Sequence, residues 1–96
     1  MAVAYEMRFQ GATLDQYDAV MKLMGRDGSA LDTLPDGARY HWCAKTDDGL
    51  IVVDVWDTDE QFQRFADEQI GPFTQQVGFT APPEVTRYEV YKTLPA

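Results

Sequence analysis

The hydrophobic period of this chain changes repeatedly, and that order of changes constrains its fold more than any motif does. In "VAYEMRF", Val3, Tyr5, Met7 and Phe9 alternate with Ala4, Glu6 and Arg8, the period-two pattern of a strand with one buried face. "TLDQYDAVMKLMGRDG" then places Leu14, Tyr17, Val20, Met21 and Met24 at helical spacing, with Asp15, Asp18 and Lys22 on the other side. Thr13 and Gln16 match a capping box, Asp15 and Asp18 suit the helix dipole, and Gly25 and Gly28 are stop signals. "SALDTLPDGA" reads as a loop with Pro35, Asp36 and Gly37 as turn residues, and Leu31 and Leu34 tucked against the body.

Two strands follow, "RYHWCAKT" and "LIVVDVW". Asp47, Asp48 and Gly49 join them as a tight hairpin, because Asp-Gly tolerates positive φ. The apolar run in "LIVVDVW" predicts burial on both faces. "TDEQFQRFADEQI" is a second helix, with Thr58 and Gln61 as a second capping box and Phe62, Phe65, Ala66, Gln69 and Ile70 inward. "GPFTQQVGF" predicts a short extra helix with Pro72 near its first turn. "TAPP" is a linker, and "EVTRYEVYKTL" is the last strand.

The order β-α-β-β-α-β defines an α+β, ferredoxin-like domain covering residues 1–96, with a four-stranded antiparallel sheet and two helices on one face. The opposite sheet face then carries large apolar residues with nothing over it, so a second copy of the chain is the expected cover. A chain of 96 residues buries a modest share of its surface alone, which points the same way.

Composition removes several function classes. Sixteen acidic residues against eight basic ones repel nucleic-acid phosphates and anionic membrane surfaces. The longest uncharged apolar run, "GLIVV", is far below the ~20 residues of a membrane span. "MAVAYEMRFQ" carries Glu6 and Arg8 and lacks the pattern of a signal peptide, and Cys43 is the only cysteine. A cytoplasmic protein is expected. One His, one Cys and scattered acids lack metal-ligand spacing, and Ser29 has no G-x-S-x-G context. No metal and no cofactor are expected.

"TDDGLIVVDVWDTDEQFQRFADEQIGPF" followed by "PPEVTRYEVYKTL" resembles the dimeric α/β-barrel superfamily, in particular the short, stand-alone, actinomycete-type members of its antibiotic-biosynthesis-monooxygenase-like branch. The "DDG-x-x-V-x-D-V-W" element supplies a hairpin and a strand end, and "FxRFADEQIGPF" a helix and its exit. The resemblance implies a homodimer whose sheets face each other and a pocket in each subunit. It also implies small-metabolite chemistry, including cofactor-independent oxygenation of hydrophobic aromatic compounds. The haem-degrading and polyketide-oxygenase branches use a pocket Asn, and this chain contains no asparagine; Trp42 or Trp56 stands for their pocket Trp.

The candidate catalytic residues are His41 and Asp54. His41 is the one side chain that titrates near neutrality unperturbed, and it shares strand parity with Arg39, Cys43 and Lys45. Read blandly, it is a hydrogen-bonded strand residue. Asp54 interrupts an otherwise apolar strand and needs a partner, which Arg39, His41, Arg87 or Tyr88 would supply. The hairpin brings Asp54 near His41 or Trp42, and a slip of one residue would reverse its face. Trp42, Trp56, Tyr40 and Tyr88 are candidate walls of a pocket between sheet and helices, or plain core and dimer contacts. Cys43 reads as a buried, inert thiol. The rival to an enzyme is a non-catalytic dimeric module that binds a small apolar ligand or supports an assembly.

Overall fold

A computed structural model describes residues 2–26 and 34–95. β1 (Val3–Gln10) leads into α1 (Leu14–Leu23), then β2 (Ala38–Thr46) and β3 (Gly49–Trp56) form a hairpin. α2 (Asp59–Phe65), a π-helical turn (Ala66–Ile70) and α3 (Gly71–Val77) precede β4 (Glu84–Glu89). The strands lie in the order β2-β3-β1-β4, each antiparallel to its neighbours. This is the ferredoxin-like sheet expected from the periodicity.

Alternation along β1 and β3 sets the core. Val3, Tyr5, Met7 and Phe9 are buried, as are Leu50, Val52, Asp54 and Trp56, all on the helix side of the sheet. Phe62 of α2 stacks on Tyr5 at 3.7 Å between ring centroids and meets Trp56 edge-on. The alternate residues of β3, Ile51, Val53 and Val55, are only half-buried, which corrects the expectation of burial on both faces. The helices lie on one face of the sheet, and no described helix lies on the other.

Thr13 caps α1 through the reciprocal bonds with Gln16. At its other end Gly25, at φ 75°, takes the left-handed position, and the N–H groups of Gly25 and Arg26 close on Lys22 and Met21. Gly28 and Leu31, read above as a stop signal and a tucked loop residue, lie outside the described residues.

The hairpin turn differs from its expected form. Thr46 pairs with Gly49, so Asp47 and Asp48 alone make the turn, and neither has positive φ. Gly49 belongs to β3 and is required there for another reason: a Cβ would stand 2.0 Å from the Phe9 carbonyl oxygen. The two predicted C-terminal helices are likewise one continuous rod joined by the π turn. In an α-helix the Pro72 ring would collide with the carbonyl four residues back and offer it no N–H. The wider turn, closed by Gly71 N–H on the Ala66 carbonyl, accommodates it. β4 stops at Glu89 instead of running to Leu94, because Glu89 already pairs with Val3 and only the Val90 N–H finds a further acceptor, on Ala2.

Candidate functional site

The site is a cavity of about 70 Å³ between the helix side of the sheet and the helices, lined almost wholly by apolar atoms. Met7 and Val52 form part of its floor, and Met21, Phe65 and Ile70 part of its roof. Six side chains with hydrogen-bonding groups also line it: Tyr17, Arg26, His41, Asp54, Trp56 and Thr74.

Strand register places three of them. His41 is the direct cross-strand partner of Asp54, and both point to the helix side. His41 Nδ1 lies 2.6 Å from Asp54 Oδ1, and the carboxylate is 4% exposed. A buried carboxylate is stable only when hydrogen-bonded, and His41 is what satisfies it. Tyr17, on the inward stripe of α1, brings its hydroxyl to 2.5 Å from His41 Nε2, with the two rings nearly parallel. An ionised carboxylate only accepts, so Nδ1 carries the hydrogen and donates to Asp54. Nε2 is then the acceptor for the Tyr17 O–H. The result is a Tyr–His–Asp chain, the arrangement in which a carboxylate fixes the tautomer of an imidazole and stabilises its charged form.

In the sequence Tyr17 is one residue of the helical stripe of α1, and nothing local marks its role. Its partner lies on another element, and only docking of α1 on β2 joins them.

Burial pushes the Tyr17 phenol up to about 12, with Cys43, Asp54 and Asp18 adding negative potential. A phenol whose folded value lies above the ordinary 10 contributes stability in full below pH 10, and that contribution is lost as pH rises towards 12. In an ultraviolet tyrosinate titration of the folded protein, Tyr17→Phe should therefore remove a component from the late part of the curve. Loss of a component at the ordinary tyrosine pH would show that Tyr17 is solvated.

The remaining expectations sort by face. Trp56 lines the cavity, 1% exposed, and its indole Nε1–H is buried without a hydrogen-bond partner among the described residues. Trp42, Tyr40 and Tyr88 do not wall this cavity. Trp42 pairs with Val53, Tyr40 with Val55 and Tyr88 with Ala4, all on the uncovered sheet face, and Trp42 and Tyr88 are each 50% exposed. Tyr40 instead donates to the Pro95 carbonyl. Arg39 was grouped with His41 by parity, but a register shift between Ala38 and Tyr40 breaks that parity and Arg39 pairs with Asp57. Arg87 pairs with Asp59 at 2.7 Å, so neither arginine serves Asp54. Burial raises the Cys43 thiol, with Asp18 adding to it, which disfavours the thiolate a nucleophile needs. Among the described residues no group of His, Cys, Asp and Glu could hold a metal ion.

No family model matches the chain, and no curated protein does. Solved structures do. Rv0793 from Mycobacterium tuberculosis matches with a TM-score of 0.64 at 19% identity over 98% of this chain and 99% of that one. SnoaB, a cofactor-independent oxygenase from Streptomyces nogalater, matches with a TM-score of 0.64 at 16% identity over 99% and 98%. The chain has the fold of the antibiotic-biosynthesis-monooxygenase-like proteins. The ActVA-Orf6 monooxygenase of Streptomyces coelicolor, solved with nanaomycin D, shares that monooxygenase-like fold with a TM-score of 0.55 at 16% identity over 97% of this chain and 89% of that one. At these identities the likeness is one of architecture, and chemistry has to be argued from the side chains present.

Proposed function

We propose that this chain is a cytoplasmic small-metabolite enzyme of the antibiotic-biosynthesis-monooxygenase-like type, which deprotonates a small hydrophobic, aromatic compound in its cavity and so prepares it for cofactor-independent oxygenation. The observation that carries the reading is the pair of half-buried His41 and buried Asp54 set into a largely apolar cavity. Such a pair accepts a proton without exposing charge to the apolar wall, and exclusion of water strengthens its electrostatics. The deprotonated, electron-rich substrate is itself the electron donor to oxygen. The unpaired Trp56 N–H supports a ligand that brings an acceptor oxygen. Among the described residues no helix is long and apolar enough to cross a membrane, which agrees with this setting.

Size narrows the substrate. The cavity of about 70 Å³ lies below the ~300–1,000 Å³ of ordinary ligand pockets. One-ring compounds are therefore favoured over fused polycycles, with the adaptable Met21 and Met24 side chains yielding to them. The same small volume favours the rival reading, a non-catalytic dimeric module. The test is oxygen uptake by the wild type, His41→Ala and Asp54→Ala with a panel of one-ring quinols and anthrone-like compounds. Uptake by the wild type that both substitutions abolish supports the enzyme; no uptake, or equal uptake by all three, leaves the module.

The dimer belongs to this proposal. Trp42, Tyr88, Val53 and Val55 form an apolar face that the described residues leave uncovered, and a second copy would bury it. In sedimentation at micromolar concentration the wild type should run as a dimer, and Trp42→Asp as a monomer. A monomeric wild type would end the barrel reading.

A further inference from the structure

His41 has no ring nitrogen to spare. Asp54 holds Nδ1 and Tyr17 holds Nε2, at 2.6 and 2.5 Å. A ligand in the cavity therefore meets the Tyr17 hydroxyl before it can meet His41. The phenol oxygen keeps acceptor capacity while its O–H donates to Nε2. Trp56 Nε1–H lines the same cavity, buried and without a partner among the described residues.

Resting on the enzymatic reading above, we propose that Tyr17, relaying through His41 to Asp54, is the base that touches the substrate, and that the site enolises small α-aryl ketones without oxygen. In this step the C–H bond beside the carbonyl breaks and its proton passes to Tyr17 Oη. The phenol's own proton moves to His41 Nε2. The electron pair left on carbon forms the C=C bond of the enolate, and the carbonyl oxygen takes the negative charge. Nothing is oxidised or reduced, and one proton has moved from substrate to imidazole. The imidazolium charge is balanced by Asp54, and the indole N–H of Trp56 donates to the enolate oxygen. Burial and the nearby Cys43, Asp54 and Asp18 hold Tyr17 as the neutral phenol, so it acts by passing a proton on and not as a standing phenolate.

The experiment follows deuterium incorporation at the methylene of phenylacetone in anaerobic D2O by proton NMR, with the folded state of each variant checked by circular dichroism. The wild type should exchange faster than buffer. Tyr17→Phe and His41→Gln should each lose about 100-fold of that acceleration, the ordinary contribution of a positioned base. Equal rates in wild type and Tyr17→Phe, or no acceleration by the wild type, overturn the proposal. Loss confined to His41→Gln overturns it as well, since His41 would then act directly. If Tyr17→Phe does not fold, nitrogen-15 shifts of His41 in the wild type decide: a bare, hydrogen-bonded Nε2 at neutral pH supports the relay, and a protonated Nε2 refutes it. Exchange without oxygen uptake would sink the oxygenase reading and leave this one standing.

Discussion

Trp56→Ala should lower the stability of the fold by about 3–5 kcal/mol, the range for deleting a buried aromatic ring. Trp56 is the last residue of β3, pairs with both Val3 and Ala38, and is 1% exposed. Its indole packs edge-on against Phe62 and tilted against Phe65 at 5.3 Å, so the ring joins the sheet to α2. Removing it leaves a void beside the existing cavity, which the surrounding strands are too rigid to close. Urea denaturation reads the effect as a lower midpoint at unchanged slope. A loss under about 1 kcal/mol would mean that the ring is not a structural join. Trp56→Phe separates the two parts of the side chain. It keeps most of the ring and deletes an N–H that costs about 1–3 kcal/mol to leave unpaired. That variant should lie close to wild type in stability. A loss matching Trp56→Ala would show that the N–H has a partner, such as a bound water.

Breaking the His41–Asp54 pair should be as costly, and unequal in its two directions. His41→Leu leaves the Asp54 carboxylate buried beside leucine, and stranding a buried charge costs about 3–5 kcal/mol. Asp54→Leu leaves an imidazole that keeps its Tyr17 bond at Nε2 and loses one partner, about 1–3 kcal/mol. The double variant should be more stable than His41→Leu alone, because replacing both partners by apolar groups strands nothing. Additive losses in this cycle would show that the two side chains do not act as a pair. The cycle also bears on function. A polar pair that is worth less than its apolar replacement is retained for chemistry more readily than for folding, since active sites are where stability is commonly given up.

The expected strands, helices and caps rested on local physics, and the structure follows them where the physics is local. Thr13 and Gln16 cap α1 because both partners lie within one turn. The buried parity of β1 follows from its own alternation. The misreadings come where a second element intervenes. Gly49 is set by the nearness of Phe9, a residue forty positions away, and not by turn geometry. Pro72 does sit in the first turn of α3, as expected, but a π turn joins that helix to α2 without a break.

The sequence by itself determined the α+β class, the order of elements, the buried face of β1 and the pairing of two strands that carry one histidine and one buried acid. Periodicity, capping and turn chemistry act over a few residues, so a single chain is enough to read them. Only the tertiary structure decided that His41 and Asp54 share the helix side while Trp42, Tyr40 and Tyr88 face away. It alone brought Tyr17 to the imidazole and left the Trp56 N–H without a partner. Those facts depend on strand register and helix docking. One residue of slip reverses a side chain's face, and hydrogen bonds between distant elements leave no mark in the sequence between them.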